Sequence, residues 1–162
     1  MKNTFKRSGA ALISLVLLLV LLLVLAVSAG AASSQNVGVK FWKERSDKES
    51  MANSGIDSNR TATLTRQANG TYTLTLPVMQ VSKLGVTGYL SGLTIGDVTY
   101  DGTLTGDFNK ATAVLTIKNL PASVLTGSDV NKSVLVTCNI QMDLQVLGEI
   151  NTSARMCIWN QK

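Results

Sequence analysis

The sequence predicts an all-β protein, an antiparallel sandwich or barrel of about seven or eight strands with one short helix. Three observations carry this expectation. Short runs rich in Thr, Val, Leu and Ile alternate from residue 37 onward, and Gly or Asn/Asp turns interrupt them about every ten residues. Only residues 47–53 have helical character, and that piece is too short to stand alone. Ser46 or Asp47 is its expected cap.

Ahead of the strands lies a different kind of text. Lys2, Lys6 and Arg7 precede an apolar block over residues 10–27 in which Ser14 is the one polar residue, and small residues follow from Ser28 to Ala32. This order describes a secretory signal peptide, with Val27-Ser28-Ala29 as the recognition triplet. The block is also nearly long enough to span a bilayer, so an uncleaved N-terminal membrane anchor is the alternative. A third resemblance, to the processing site of type IV pilin-like proteins, would place a cut after Gly9. Ser14 stands where those proteins carry a glutamate, and Gly30 and Gly38 interrupt the long helix they need. The predicted organisation is therefore a signal or anchor over residues 1–30, a small polar linker over 31–36, and one β-domain over 37–162. All of it after the leader is expected outside the cytoplasm, touching a membrane only through an uncleaved N-terminal segment.

Within the domain, residues 37–41 read as the first strand. Residues 61–66 and 71–76 form a hairpin joined through Asn69-Gly70, because Asn-Gly between alternating runs favours a two-strand turn. Residues 86–94, 98–100, 113–118, 134–142 and 154–159 read as further strands, with Asp101-Gly102, Gly106-Asp107 and residues 127–129 as turns. Alternation buries Cys138 on one face and leaves Cys157 on the other, beside Arg155. That parity opposes a disulfide, although a bulge would bring the two cysteines together.

Composition removes whole classes of function. The 162-residue chain holds no histidine, which excludes Ser-His-Asp and Cys-His catalysis and most metal sites. The formal charge of +5 overstates the domain, since all ten acidic and twelve of the fifteen basic residues follow Val27 and leave about +2. No basic patch interleaved with aromatics occurs, so nucleic acid is not an expected partner. Glu44, Asp47 and Glu49 lie among Lys43, Arg45 and Lys48 and read as a solvated mixed-charge turn. Asp97, Asp101 and Asp107 lack calcium-loop spacing. An enzyme is not expected.

Four stretches in order resemble the NEAT (near iron transporter) domains with which Gram-positive bacteria handle haem at the cell surface. Residues 39–42 followed by Ser50-Met51-Ala52-Asn53 match the family's first strand and lip helix. Asn69-Gly70 with the strand through Leu76 matches its hairpin, and residues 86–93 look like the strand that follows. Residues 140–142 and 154–159 look like the closing hairpin. The resemblance implies an immunoglobulin-like β-sandwich with a haem slot between the lip and the last hairpin. It also implies a role in iron acquisition, with haem or a surface protein as partner. Ser50, Met51, Asn53, Met142 and Thr152 are the implied slot residues.

In the haem-binding members a tyrosine on the last strand ligates iron, supported by a second tyrosine four residues later. On this chain those positions fall near Gly148 and Thr152, neither of which offers an anionic oxygen. Met51, Met142, Tyr89 and Tyr100 are the remaining donors by type, and Trp42 and Trp159 read as strand-end packing. The alternative function is an extracellular protein–protein interaction domain on the same fold.

Overall fold

The structure is a computed structural model that describes residues 32–83, 85–142 and 149–161. The signal or anchor block over 1–30 lies outside the described residues, as does Gly148. From Ala32 the chain forms one compact β-unit. Its strands are β1 (Ser33–Lys43), β2 (Ala62–Arg66), β3 (Tyr72–Pro77), β4 (Val81–Lys83) and β5 (Val86–Ile95). β6 (Val98–Thr105), β7 (Val114–Leu120), β8 (Val134–Met142) and β9 (Glu149–Asn160) complete it.

Every pairing is antiparallel, in the order β4-β5-β6-β7-β3-β2-β1-β9-β8, and β5 also pairs with β8. Eight strands therefore close into a ring, with β4 added beside β5. The expected two-sheet sandwich becomes a sandwich-like closed barrel. The physical cause lies in β5. One of its edges is shared between β4 and β6, while the other carries β8, with a register shift between Leu90 and Gly92. A bulge of this kind bends and twists a strand, and so allows it to serve both sides of the closure.

Three sequence boundaries move. Residues 33–36, predicted as linker, are the first rungs of β1, with Ser33 opposite Arg66 and Asn36 opposite Thr63. Small polar composition is equally that of a solvent-facing strand end, where Thr65 donates from its hydroxyl to Ser34 Oγ at 3.2 Å. Asp101-Gly102 is strand rather than turn: Asp101 pairs with Gly92 on β5 and Gly102 with Ile117 on β7, and a Cβ on Gly102 would lie 2.7 Å from Ser91 O. The helix expected over 47–53 is a 3₁₀ turn over Met51–Gly55 capped by Ser50, because residues 48–50 pair back onto β1 instead. The Asn69-Gly70 turn forms as predicted, with Gly70 at φ +82° and Asn69 Oδ1 accepting from Thr71 N at 3.1 Å.

The core is what the alternation predicts. Phe41, Leu64, Leu74, Leu93, Leu115 and Met156 are fully buried inside the ring. Both cysteines are free and buried. Cys138 points into the core, whereas Cys157 lies on the outer face beneath residues 124–129, its Sγ 3.5 Å from Asp129 O. The sheet separates them, as strand parity requires. Trp159 lies across its cross-strand partner Gly38, and Lys40 Nζ sits 4.5 Å from the Trp42 ring centre, so both tryptophans pack at strand ends.

Candidate functional site

β2 leaves β1 after the pair formed by Val37 and Ala62, and beyond that point the edge of β1 needs another partner. The lip segment supplies it. Lys43 N donates to Lys48 O at 2.8 Å, and Ser50 N donates to Phe41 O at 3.0 Å. The Asn53 carboxamide then does the work of a strand residue: Oδ1 accepts from Phe41 N at 2.8 Å and Nδ2 donates to Phe41 O at 2.7 Å. Because Phe41 is fully buried, these groups have no water to turn to. At its other end the lip is fixed by Met79 N donating to Gly55 O at 3.0 Å. Arg155 steadies the preceding turn, donating to Ser46 O at 2.9 Å and pairing with Asp47 Oδ1 at 2.7 Å. Glu49 pairs with Lys40 at 2.5 Å, so the acidic cluster is a mixed-charge turn.

Between this lip and the strands opens a slot of about 230 Å³. Register builds its floor. Leu90 on β5, Ile140 on β8 and Ile150 on β9 stand opposite one another in a row across three strands. One step to either side lie Met142 opposite Gly88 and Thr152 opposite Cys138. Val81 and Val86 form one end, and Met51, Ala52 and Gly55 the lip wall. Gly88 is required by contact, since a Cβ there would fall 2.7 Å from Met142 Sδ and 2.9 Å from Gln141 O. Met51 is 57 % exposed and Ile150 43 %, so the rim offers apolar surface to whatever enters.

The sequence-predicted residues divide in two. Met51, Met142 and Thr152 line the slot. Ser50 and Asn53 do not; Ser50 caps the lip, its Oγ accepting from Ala52 N at 3.3 Å, and Asn53 clamps it. Tyr89 borders the slot with its ring against Phe108, centroids 5.2 Å apart, whereas Tyr100 packs against the core. The residues that sequence reasoning missed are Val81, Val86, Gly88, Leu90 and Ile150. The strand holding Val86, Gly88 and Leu90 was legible, whereas Val81 and Ile150 fall outside the predicted strands, and which rung of the ring would stay uncovered was not legible.

The site is electrically quiet. No described lining residue is charged, and Thr152 brings the one hydroxyl on the slot-facing side of β9. Among the described residues no group of three His, Cys, Asp or Glu side chains is placed to hold a metal ion. Cys138 packs in the core and does not line the slot, and burial pushes its thiol up to about 12. The walls suit the face of a flat apolar ring system. The volume is below the roughly 300–1,000 Å³ of enclosed ligand pockets, so a larger ligand would leave an edge in solvent.

Neither protein-family profiles nor curated proteins match the sequence. Solved structures do. A single-site mutant of the IsdX2 NEAT5 domain, in complex with haem, superposes with a TM-score of 0.52 at 12 % identity, covering 82 % of this chain and 98 % of that one. The NEAT5 domain of IsdX2, a B. anthracis hemophore in complex with haem, gives 0.49 at 11 % identity over 82 % and 99 %. At such identity the first of these establishes the fold: this chain has a NEAT-like fold.

Proposed function

We propose that this domain is a binding module, without catalytic activity, that takes haem or a related porphyrin into the slot between the lip and the β8–β9 hairpin. The observation that carries the proposal is the slot itself: an uncharged, apolar cleft with an exposed methionine and isoleucine at its mouth. The NEAT domain of the same fold was solved with haem, which supports the same assignment for this chain. With its N-terminal segment acting as signal or anchor, the module works at the surface of a bacterial cell in iron acquisition.

When bound, haem supplies a redox-active iron at the centre of an apolar disc. This chain's own residues do the holding. Leu90, Ile140 and Ile150 would hold the ring from the floor of the slot, and Met51 and Ala52 from the lip wall. Asn53 and Ser50 keep the lip at the right height without touching the ligand.

The test is a titration of the protein with haem followed from 350 to 450 nm. Saturable 1:1 uptake with a shifted Soret band is the expected result. An unchanged spectrum would overturn the assignment and leave the NEAT-like fold as a protein–protein interaction domain.

A further inference from the structure

Resting on the porphyrin assignment, we propose that the slot recognises the macrocycle and is indifferent to its metal, so that iron-free protoporphyrin IX binds as tightly as ferric haem. Ferric iron is a hard acid that gains most from an anionic oxygen, a thiolate or an imidazole. The chain has no histidine. Its two thiols are buried away from the slot cavity, one in the core and one beneath an outer-face loop. Thr152 carries a neutral hydroxyl where an anionic donor would be needed, and the thioethers of Met51 and Met142 are soft donors poorly matched to ferric iron.

Tyr89 is the one phenol at the slot, and the structure gives it other work. It alternates along β5 with Gly88 and Leu90, which are buried, and it stands opposite the exposed Gln141 on β8. Its ring lies at 45° against Phe108. Strand parity thus sets the phenol on the opposite side of β5 from the row that floors the slot. Among the described residues, what remains to hold a ligand is apolar area, and apolar area acts on the macrocycle whether or not a metal sits at its centre.

The experiment compares ferric haem with protoporphyrin IX on the same protein. Protein fluorescence quenching reads both ligands, and porphyrin emission gives an independent reading for the second. Dissociation constants within tenfold of each other are expected, with Tyr89→Phe changing neither and Met51→Ala weakening both by the same factor. Bound ferric haem should also lack a phenolate-to-iron charge-transfer band. Haem binding more than tenfold tighter than protoporphyrin would overturn the inference while leaving the porphyrin assignment standing. So would a Tyr89→Phe or Met51→Ala variant that loses haem alone. Failure of both ligands to bind overturns the inference and the assignment together.

Discussion

Replacing Asn53 by alanine removes the side chain that substitutes for a missing strand on the edge of β1. Two hydrogen bonds go, at 2.8 and 2.7 Å. Their loss is unequal in consequence. Phe41 O keeps Ser50 N as a partner at 3.0 Å, whereas Phe41 N loses the acceptor on its lip side. Orphaning a buried N–H costs about 1–3 kcal/mol, and losing one of two bonds to a carbonyl about 1 kcal/mol more. Asn53→Ala should therefore destabilise the fold by roughly 2–4 kcal/mol, which in a domain of this size lowers Tm by about 10 °C.

Urea unfolding followed by tryptophan fluorescence measures this directly, with Asn69→Ala as the control. Asn69 also accepts from the backbone, but at an exposed turn, so its loss should cost under about 0.5 kcal/mol. Asn53→Asp adds a signature. Its carboxylate still accepts from Phe41 N but faces Phe41 O with nothing to donate, so its folded-state pKa is raised. Protonation restores the donor, and the variant should regain stability as pH falls. An Asn53→Ala variant within about 0.5 kcal/mol of wild type would refute the strand-substitute argument.

Met51→Ala should weaken porphyrin binding with little effect on folding. Burying a whole Met side chain is worth about 1.5–3 kcal/mol, so covering the exposed 57 % contributes roughly 0.9–1.7 kcal/mol, or about 5- to 20-fold in Kd. A large fall in Tm with unaltered affinity would instead make Met51 a packing residue. Gly88→Ala forces contacts at 2.7 and 2.9 Å on Met142 and Gln141, and should cost about 1–3 kcal/mol in denaturant unfolding while narrowing the slot. Wild-type stability would mean that β5 and β8 have slack. The Cys138 thiol is raised from 9.0 to about 12 by desolvation, so the folded protein keeps a proton that the unfolded chain loses above pH 9. Its contribution is intact below that pH, and stability should fall by about 1.4 kcal/mol per pH unit from there toward 12. Cys138→Ala should flatten that slope; an unchanged slope would assign it to another group.

Strand existence was legible because Thr/Val/Leu alternation and the Asn69-Gly70 turn are local signals. Parity alone placed Cys138 and Cys157 on opposite faces, and the structure keeps them there. Closure was not legible. It depends on the bulge between Leu90 and Gly92 and on β5 reaching β8, and neither leaves a pattern in neighbouring residues. The lip illustrates the same limit. Ser50 and Asn53 read as slot residues from the resemblance of Ser50-Met51-Ala52-Asn53 to a lip helix, but Ser50 caps that turn through Ala52 and Asn53 bonds to Phe41, a partner fixed by tertiary pairing. Residues 33–36 looked like linker because an exposed strand end and a linker share a composition.

The ring has a direction in time as well as a shape. β9 sits between β1 and β8, so Phe41 meets Met156 and Val134 meets that same residue from the other side. Until the 12 residues of β9 leave the ribosome, the first and eighth strands have no one to share, and the barrel stays an open ribbon with two raw edges. Pairing across so great a separation in sequence also makes folding slow. A polypeptide of this topology keeps its barrel open until its ninth strand has been made.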